Sequence, residues 1–137
     1  MKKFIFLYGH KSCPINPSGF QWFDLTKDDP EYILEQSIKA ENKLSKFVDE
    51  IKNEFNLENN NICLSGFSQG CMMSINLGLT SNEKFNCVIG FSGKIINQED
   101  LKSRKKVSTK TLLVHGELDQ VVQPHYMLEA KDFFIRN

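Results

Sequence analysis

The 137-residue sequence predicts an α/β fold: a three-layer αβα sandwich built on a mostly parallel sheet. Three observations predict it. Short apolar runs such as Cys87-Val88-Ile89-Gly90-Phe91 and Thr111-Leu112-Leu113-Val114-His115 are continuous rather than alternating, as in strands buried on both faces. Between them lie segments with apolar residues at helical spacing. The regular exchange of the two implies parallel βαβ units, with helices over both faces of the sheet. There is room for one domain, spanning 1–137, and no internal repeat is visible.

Taken in order, Phe4-Ile5-Phe6-Leu7-Tyr8 reads as a short buried strand. With Lys2-Lys3 before it, the run superficially resembles a secretion signal. It stops at Gly9-His10-Lys11, too short for the apolar core of one. Pro14, Pro17 and Gly19 predict a loop that delivers Gln21-Trp22-Phe23-Asp24-Leu25. Asp29-Pro30 is a helix start, a capping side chain followed by a proline whose missing N–H costs nothing. Leu34, Ile38, Leu44, Phe47, Val48, Ile51 and Phe55 then mark one amphipathic helix over about residues 30–56. After the turn-forming Asn59-Asn60-Asn61, Ile62 to Ser65 form a second strand, followed by a helix to about Leu79. Cys87–Phe91 is the third strand and Thr111–His115 the fourth, with a polar stretch between. A last helix follows Pro124.

Composition excludes several function classes. Seventeen basic residues balance seventeen acidic ones, so no global field favours nucleic acid or an anionic membrane. Lys102, Arg104, Lys105, Lys106 and Lys110 make a basic loop without interleaved aromatics, read as solvated surface. No run reaches the length of a membrane span. The four cysteines (Cys13, Cys63, Cys71, Cys87) lack C-x-x-C spacing. Cys63 and Cys87 sit inside apolar runs and read as small buried hydrophobes, which favours a reducing, cytoplasmic setting. Met72-Met73 read as core. His10 and Cys13 lack further ligands at metal-binding spacing, and no phosphate-binding loop or dinucleotide fingerprint appears.

One motif carries chemistry. Gly66-Phe67-Ser68-Gln69-Gly70 matches G-x-S-x-G and lies between a strand and a helix, the setting of a nucleophile elbow. A sharp turn there lifts the serine Oγ off the sheet, and the crowding predicts glycine two residues before and two after. The Gln69 N–H, at the helix start, can donate to a developing oxyanion. A serine needs a base, and the base an orienting carboxylate. The loop after the fourth strand offers two, Asp119 and Glu117. An aspartate here also suits a turn in which it bonds its own backbone.

Four pieces in order resemble the phospholipase/carboxylesterase family of α/β-hydrolases, which includes the acyl-protein thioesterases. They are G-F-Q-W-F-D-L at Gly19–Leu25, L-S-G-F-S-Q-G at Leu64–Gly70, F-S-G at Phe91–Gly93, and L-L-V-H-G-E-L-D at Leu112–Asp119. The resemblance implies an α/β-hydrolase-type fold and a serine hydrolase of esters or thioesters working through an acyl-enzyme without cofactor. It implies Ser68 as nucleophile, Asp119 rather than Glu117 as acid, Gln69 as oxyanion donor and Trp22 beside the acyl pocket. Composition alone would make Trp22 a core aromatic equally well. Implied substrates are small acyl esters, lysophospholipids or acylated proteins.

The sequence departs from the family pattern twice, so the domain is expected to be incomplete at both ends. The family's histidine follows one more strand beyond the acid. Here His10 precedes the serine, His115 closes the strand before Asp119, and His125 follows Asp119 too closely. The family's H-G-x-G oxyanion loop has only a faint echo at Tyr8-Gly9-His10, so Phe4–Tyr8 is read as the family's next strand. Its usual neighbour, between it and the strand before Ser68, is missing, which leaves ladder groups unpartnered. A complementing fragment or a homo-oligomer would supply what is lacking. Without it, the chain is expected to be a nearly inactive remnant.

Overall fold

A computed structural model of the chain describes residues 2–137. It opens with an antiparallel hairpin, β1 (Lys11–Cys13) and β2 (Asn16–Gln21), followed by α1 (Pro30–Phe55) and a 3-10 turn (Asn59–Asn61). Then come β3 (Cys63–Phe67), α2 (Gln69–Thr80), β4 (Cys87–Phe91), α3 (Gln98–Arg104), β5 (Thr111–Val114) and α4 (His125–Arg136). Strands β3, β4 and β5 form one parallel sheet in that order, with Leu64 opposite Val88 and Gly90 opposite Leu113. The α/β class expected from the sequence is the class that forms.

The helix ends follow local chemistry. Asp29 caps α1 by accepting from the N–H groups of Glu31 and Tyr32 at 3.0 and 3.2 Å, with Pro30 in the first turn. The helix stops where Asn56 turns left-handed at φ 51°. Its stripe of Ala40, Leu44 and Val48 is buried against the core. By contrast α2 is buried all round from Cys71 to Leu79, including Met72 and Met73 as expected. It lies between α1 and the sheet.

Three expectations are corrected. Phe4–Tyr8 makes no strand; its side chains are exposed, Phe4 at 82% and Phe6 at 84%. A strand needs a neighbour to receive its hydrogen bonds, and no strand lies between this segment and β3 among the described residues. The loop predicted around Pro14 and Pro17 is the β1–β2 hairpin instead. Register slips between Ser12 and Cys13, so Pro17 falls in an irregular part of a two-stranded ribbon, where its missing N–H is tolerated. The polar stretch after Gly93 contains α3, capped by Asn97, which accepts from the Asp100 N–H at 3.0 Å.

Cover on the second sheet face is also absent among the described residues. The face towards α2 holds the buried Leu64, Val88 and Gly90. The opposite face leaves Phe67 71%, Phe91 39%, Leu112 57% and Val114 44% exposed. Helix α1 stacks on α2 rather than crossing to that side. Cys63, expected to be buried, is exposed on this open face, and Cys87 beside it is half-buried.

Arg104 is likewise not part of a solvated basic surface. Its Nη1 reaches both carboxylate oxygens of the buried Glu41 on α1, at 2.9 and 3.1 Å, and its Nε bonds Asp100 at 2.8 Å. Thr80 Oγ1 on α2 donates to the same Glu41 carboxylate at 2.6 Å. The Glu41 carboxylate, held by Arg104 of α3 and Thr80 of α2, therefore joins the three helices. Removing one partner of a mostly buried pair leaves a charge without compensation. Arg104→Ala is expected to destabilise the chain by about 2–3 kcal/mol in urea unfolding, and Arg104→Lys, which loses the planar fork, to recover only part of that.

Candidate active site

Ser68 stands where β3 turns into α2, with φ 53° and ψ −116°. This is a region L-residues avoid, at a cost of about 1–3 kcal/mol that surrounding structure must offset. Two backbone bonds hold it. The Ser68 N–H donates to Phe91 O at 2.9 Å, and Ser68 O accepts from the Met72 N–H at 3.1 Å. The side chain remains partly open to solvent.

The two elbow glycines are not equivalent. A Cβ at Gly66 would overlap the backbone of Gly70 and Cys71, so glycine is required there. A Cβ at Gly70 would meet nothing nearer than Trp22 Nε1 at 4.0 Å, which corrects the expectation that both positions are crowded. A third glycine is required that the elbow motif does not include. A Cβ at Gly93 would sit 3.1 Å from Ser68 O and hard against Cys71. Cys71 itself is buried, and desolvation pushes its thiol up to about 11.

Gln69 contributes more than the expected main-chain N–H. Its Oε1 accepts from the Trp22 N–H at 2.8 Å and, more weakly, the Phe23 N–H at 3.5 Å. Its Nε2 donates to Phe23 O at 2.9 Å. The side-chain amide thus clamps the Trp22–Phe23 segment to the elbow, and Phe23 is buried below it. Sequence spacing cannot reveal this, because the partners are far apart in the chain. Trp22 is half-buried and its ring lies 6.5 Å from that of His10.

Asp119 lies in the loop after β5, at the same carboxyl edge of the sheet as Ser68. Ladder bonds connect the two places: Ser68 to Phe91 O, then the Ser92 N–H to Val114 O at 2.9 Å. Two strand spacings separate the ends of β3 and β5, about 10 Å. Asp119 Oδ1 accepts from the N–H groups of Val121 and Val122, both at 2.9 Å. It therefore also makes the turn expected of a loop aspartate. Its carboxyl is held below the ordinary carboxylate value, chiefly by the Val122 N–H, against a smaller opposing desolvation effect; Val121 and the Ser92 side chain add to it. Ser92, with φ 47°, was not singled out from sequence; only its place in F-S-G hinted at a role.

Of the histidines and Glu117, only His115 lies beside a member of this pair. The His115 side chain is buried and its Nε2 is 2.7 Å from Val122 O and 3.7 Å from Asp119 Oδ2, so it braces the loop. His125 is half exposed at the start of α4, stacked on Tyr126 and 3.9 Å from Glu129. His10 is exposed; partial desolvation, then Lys43 and Lys11, lower its pKa. Glu117 is exposed on the loop. Among the described residues, no group of three or more His, Cys, Asp or Glu could hold a metal ion, and no helix is long and apolar enough to cross a membrane.

The family model for phospholipase/carboxylesterase matches residues 1–137. Acyl-protein thioesterase 1 of Yarrowia lipolytica is 28% identical over 124 residues, covering 83% of this chain and 52% of that protein. The protein of the same name from Aspergillus fumigatus is 31% identical over 116 residues, with 74% and 47% covered. The chain spans about half the length of these curated relatives. Among solved structures, esterase PE8 is 32% identical with a TM-score of 0.87, over 94% of this chain and 61% of that one. Arabidopsis thaliana SOBER1, at 18% identity and a TM-score of 0.68, shares the fold over 95% of this chain and 65% of its own.

Two predictions follow from the geometry. Gly66→Ala is expected to lower stability by about 2–3 kcal/mol in a denaturant melt, whereas Gly70→Ala, in open space within a helix, leaves it unchanged or slightly raised. Trp22 is the sole tryptophan, so intrinsic fluorescence reports on the clamp. Gln69→Ala is expected to shift the emission to the red and raise quenching by acrylamide, with about 1–3 kcal/mol lost from unpaired backbone at Phe23.

Proposed function

Because the chain belongs to the phospholipase/carboxylesterase family of α/β-hydrolases, we propose that it supplies the nucleophile, acid and one oxyanion donor of a serine hydrolase of carboxylic esters or thioesters. The observation that carries this reading is the strained Ser68 turn between a parallel strand and a buried helix, with Asp119 two strands away on the same sheet edge. Ser68 Oγ attacks the acyl carbonyl and gives its proton to an imidazole. The oxyanion that forms accepts from the Gln69 N–H, the first amide of α2, which has no partner within the helix. The alcohol or thiol departs with the imidazolium proton, and water then hydrolyses the acyl-serine by the same route.

The Asp119 carboxylate orients that imidazole and stabilises its charged form. With Oδ1 occupied by Val121 and Val122, Oδ2 is the oxygen available to it. The lowered pKa keeps Asp119 ionised at neutral pH. The stability this adds to the loop is present above the ordinary carboxylate value and is lost as pH falls through the lowered one. Trp22, fixed by Gln69, lines the acyl side. Small acyl esters, lysophospholipids and acylated proteins are the substrate classes. The cysteine spacing, without a C-x-x-C pair or a disulfide framework, is the ground for proposing a reducing, cytoplasmic setting.

No histidine of residues 1–137 is assigned as base, since His115 is committed to Val122 and His125 and His10 lie on other elements. The base belongs to a segment outside these residues, in a longer polypeptide or a complementing fragment. That same observation favours a second reading, a non-catalytic remnant or scaffold. The two separate in one experiment. The chain alone is expected to turn over p-nitrophenyl esters about 10⁴–10⁶-fold below an intact triad enzyme. Adding a polypeptide that bears the family's histidine segment should restore fluorophosphonate labelling, lost again in Ser68→Ala. Asp119→Asn, which keeps an acceptor for Val121 and Val122, should cut turnover of the complemented enzyme by about 10⁴. Labelling that survives Ser68→Ala overturns the hydrolase proposal. Failure of every complementing polypeptide to restore it selects the scaffold.

A further inference from the structure

Cys63 and Cys87 open adjacent strands β3 and β4 and are direct partners in the parallel register. Neighbouring parallel strands run about 4.8 Å apart, a separation that a disulfide can span. The two thiols already meet, with the Cys87 S–H directed at Cys63 Sγ at 3.2 Å. Both lie on the sheet face turned away from α2, where Cys63 is exposed and Cys87 half-buried. No third metal-binding side chain joins them among the described residues. The other two cysteines have no such setting. Cys71 is enclosed beneath Gly90 and Gly93, and Cys13 lies in the β1–β2 hairpin.

We propose that Cys63 and Cys87 form a redox-modifiable dithiol, converted reversibly to an intramolecular disulfide by a low-molecular-weight disulfide such as oxidised glutathione. One cysteine loses its proton to solvent and its thiolate attacks the oxidant's S–S bond, releasing one glutathione thiolate and leaving a mixed disulfide. The second cysteine, deprotonated in turn, attacks the protein sulfur of that mixed disulfide and expels the second glutathione. Two electrons and two protons leave the pair, and two glutathione thiols are formed. The resting Cys63 thiol is a slow nucleophile, because partial burial and the neighbouring Cys87 push it up to about 11. Proximity offsets this in the second step, which is intramolecular. Exposure on the open face leaves the product accessible to reductants, as in labile rather than structural disulfides. The pair lies at the amino end of β3 and Ser68 just past its carboxyl end, so the proposal stands independently of the hydrolase reading.

The test is made on the purified full chain. After incubation with oxidised glutathione and alkylation with iodoacetamide, the expected result is a mass loss of two hydrogens before alkylation and a non-reduced peptide linking Cys63 to Cys87. Cys13 and Cys71 remain alkylatable, and dithiothreitol reverses the change. Cys63→Ser abolishes the link and Cys71→Ser does not affect it. A second measurement needs no variant and no oxidation: phenylarsine oxide, which bridges paired thiols with loss of water, should protect Cys63 and Cys87 together from alkylation. Stable glutathione adducts without a link, a link that persists in Cys63→Ser, or an arsenical that protects neither thiol would each overturn the proposal.

Discussion

The closeness with which α2 lies on the sheet governs the rest of this structure. Gly66 of β3 faces the Gly70–Cys71 backbone with no space for a Cβ, and Gly78 of α2 is equally tight against Val88 of β4. Gly90 and Gly93 open the space that the Cys71 side chain fills. Had any of these carried a side chain, the helix would be pushed outward and its first residue would no longer turn sharply off the strand. The strained Ser68 conformation persists because packing on both sides of α2 overdetermines it. A helix enclosed by α1, α3 and the sheet cannot relax by sliding.

From this packing the site is assembled mainly by main-chain bonds. The last rungs of the parallel ladder, Ser68 to Phe91 and Ser92 to Val114, carry the elbow's position across β4 to the loop of Asp119. There the aspartate fixes its own loop through Val121 and Val122, and His115 braces the same turn through Val122 O. The amide of Gln69 performs the corresponding task on the other side, holding Trp22 and Phe23 by three hydrogen bonds. Few side chains point freely into the site. Gln69, Asp119 and His115 are occupied in fixing backbone, which sets the geometry of the site.

The open sheet face and the exposed Phe4–Tyr8 segment have a common origin. Both are apolar and strand-like in sequence, and both lack the element that would cover or pair with them among the described residues. A continuous apolar run marks a segment suited to burial on two sides, but burial is a relation between segments. The same reasoning misplaced Cys63 and Cys87, whose apolar neighbours suggested an interior position, while the face they occupy is uncovered.

What the amino-acid sequence determined unaided is the local part: α1 with its Asp29 cap, the strands β3 to β5, the elbow at Ser68 and the position of Asp119 in the loop after β5. Each rests on periodicity, capping chemistry or a short motif, interactions that act over a few residues. The β1–β2 hairpin and α3 escaped notice because a bulge at Pro17 and a single Asn97 cap leave little periodic signal. Only tertiary structure decided that Gln69 clamps Trp22, that Arg104 serves Glu41 rather than solvent, that Gly93 rather than Gly70 crowds the elbow, and that two cysteines meet across a ladder. Those outcomes depend on which distant segments share a surface. Sheet order and helix packing set that choice, and no local pattern encodes it.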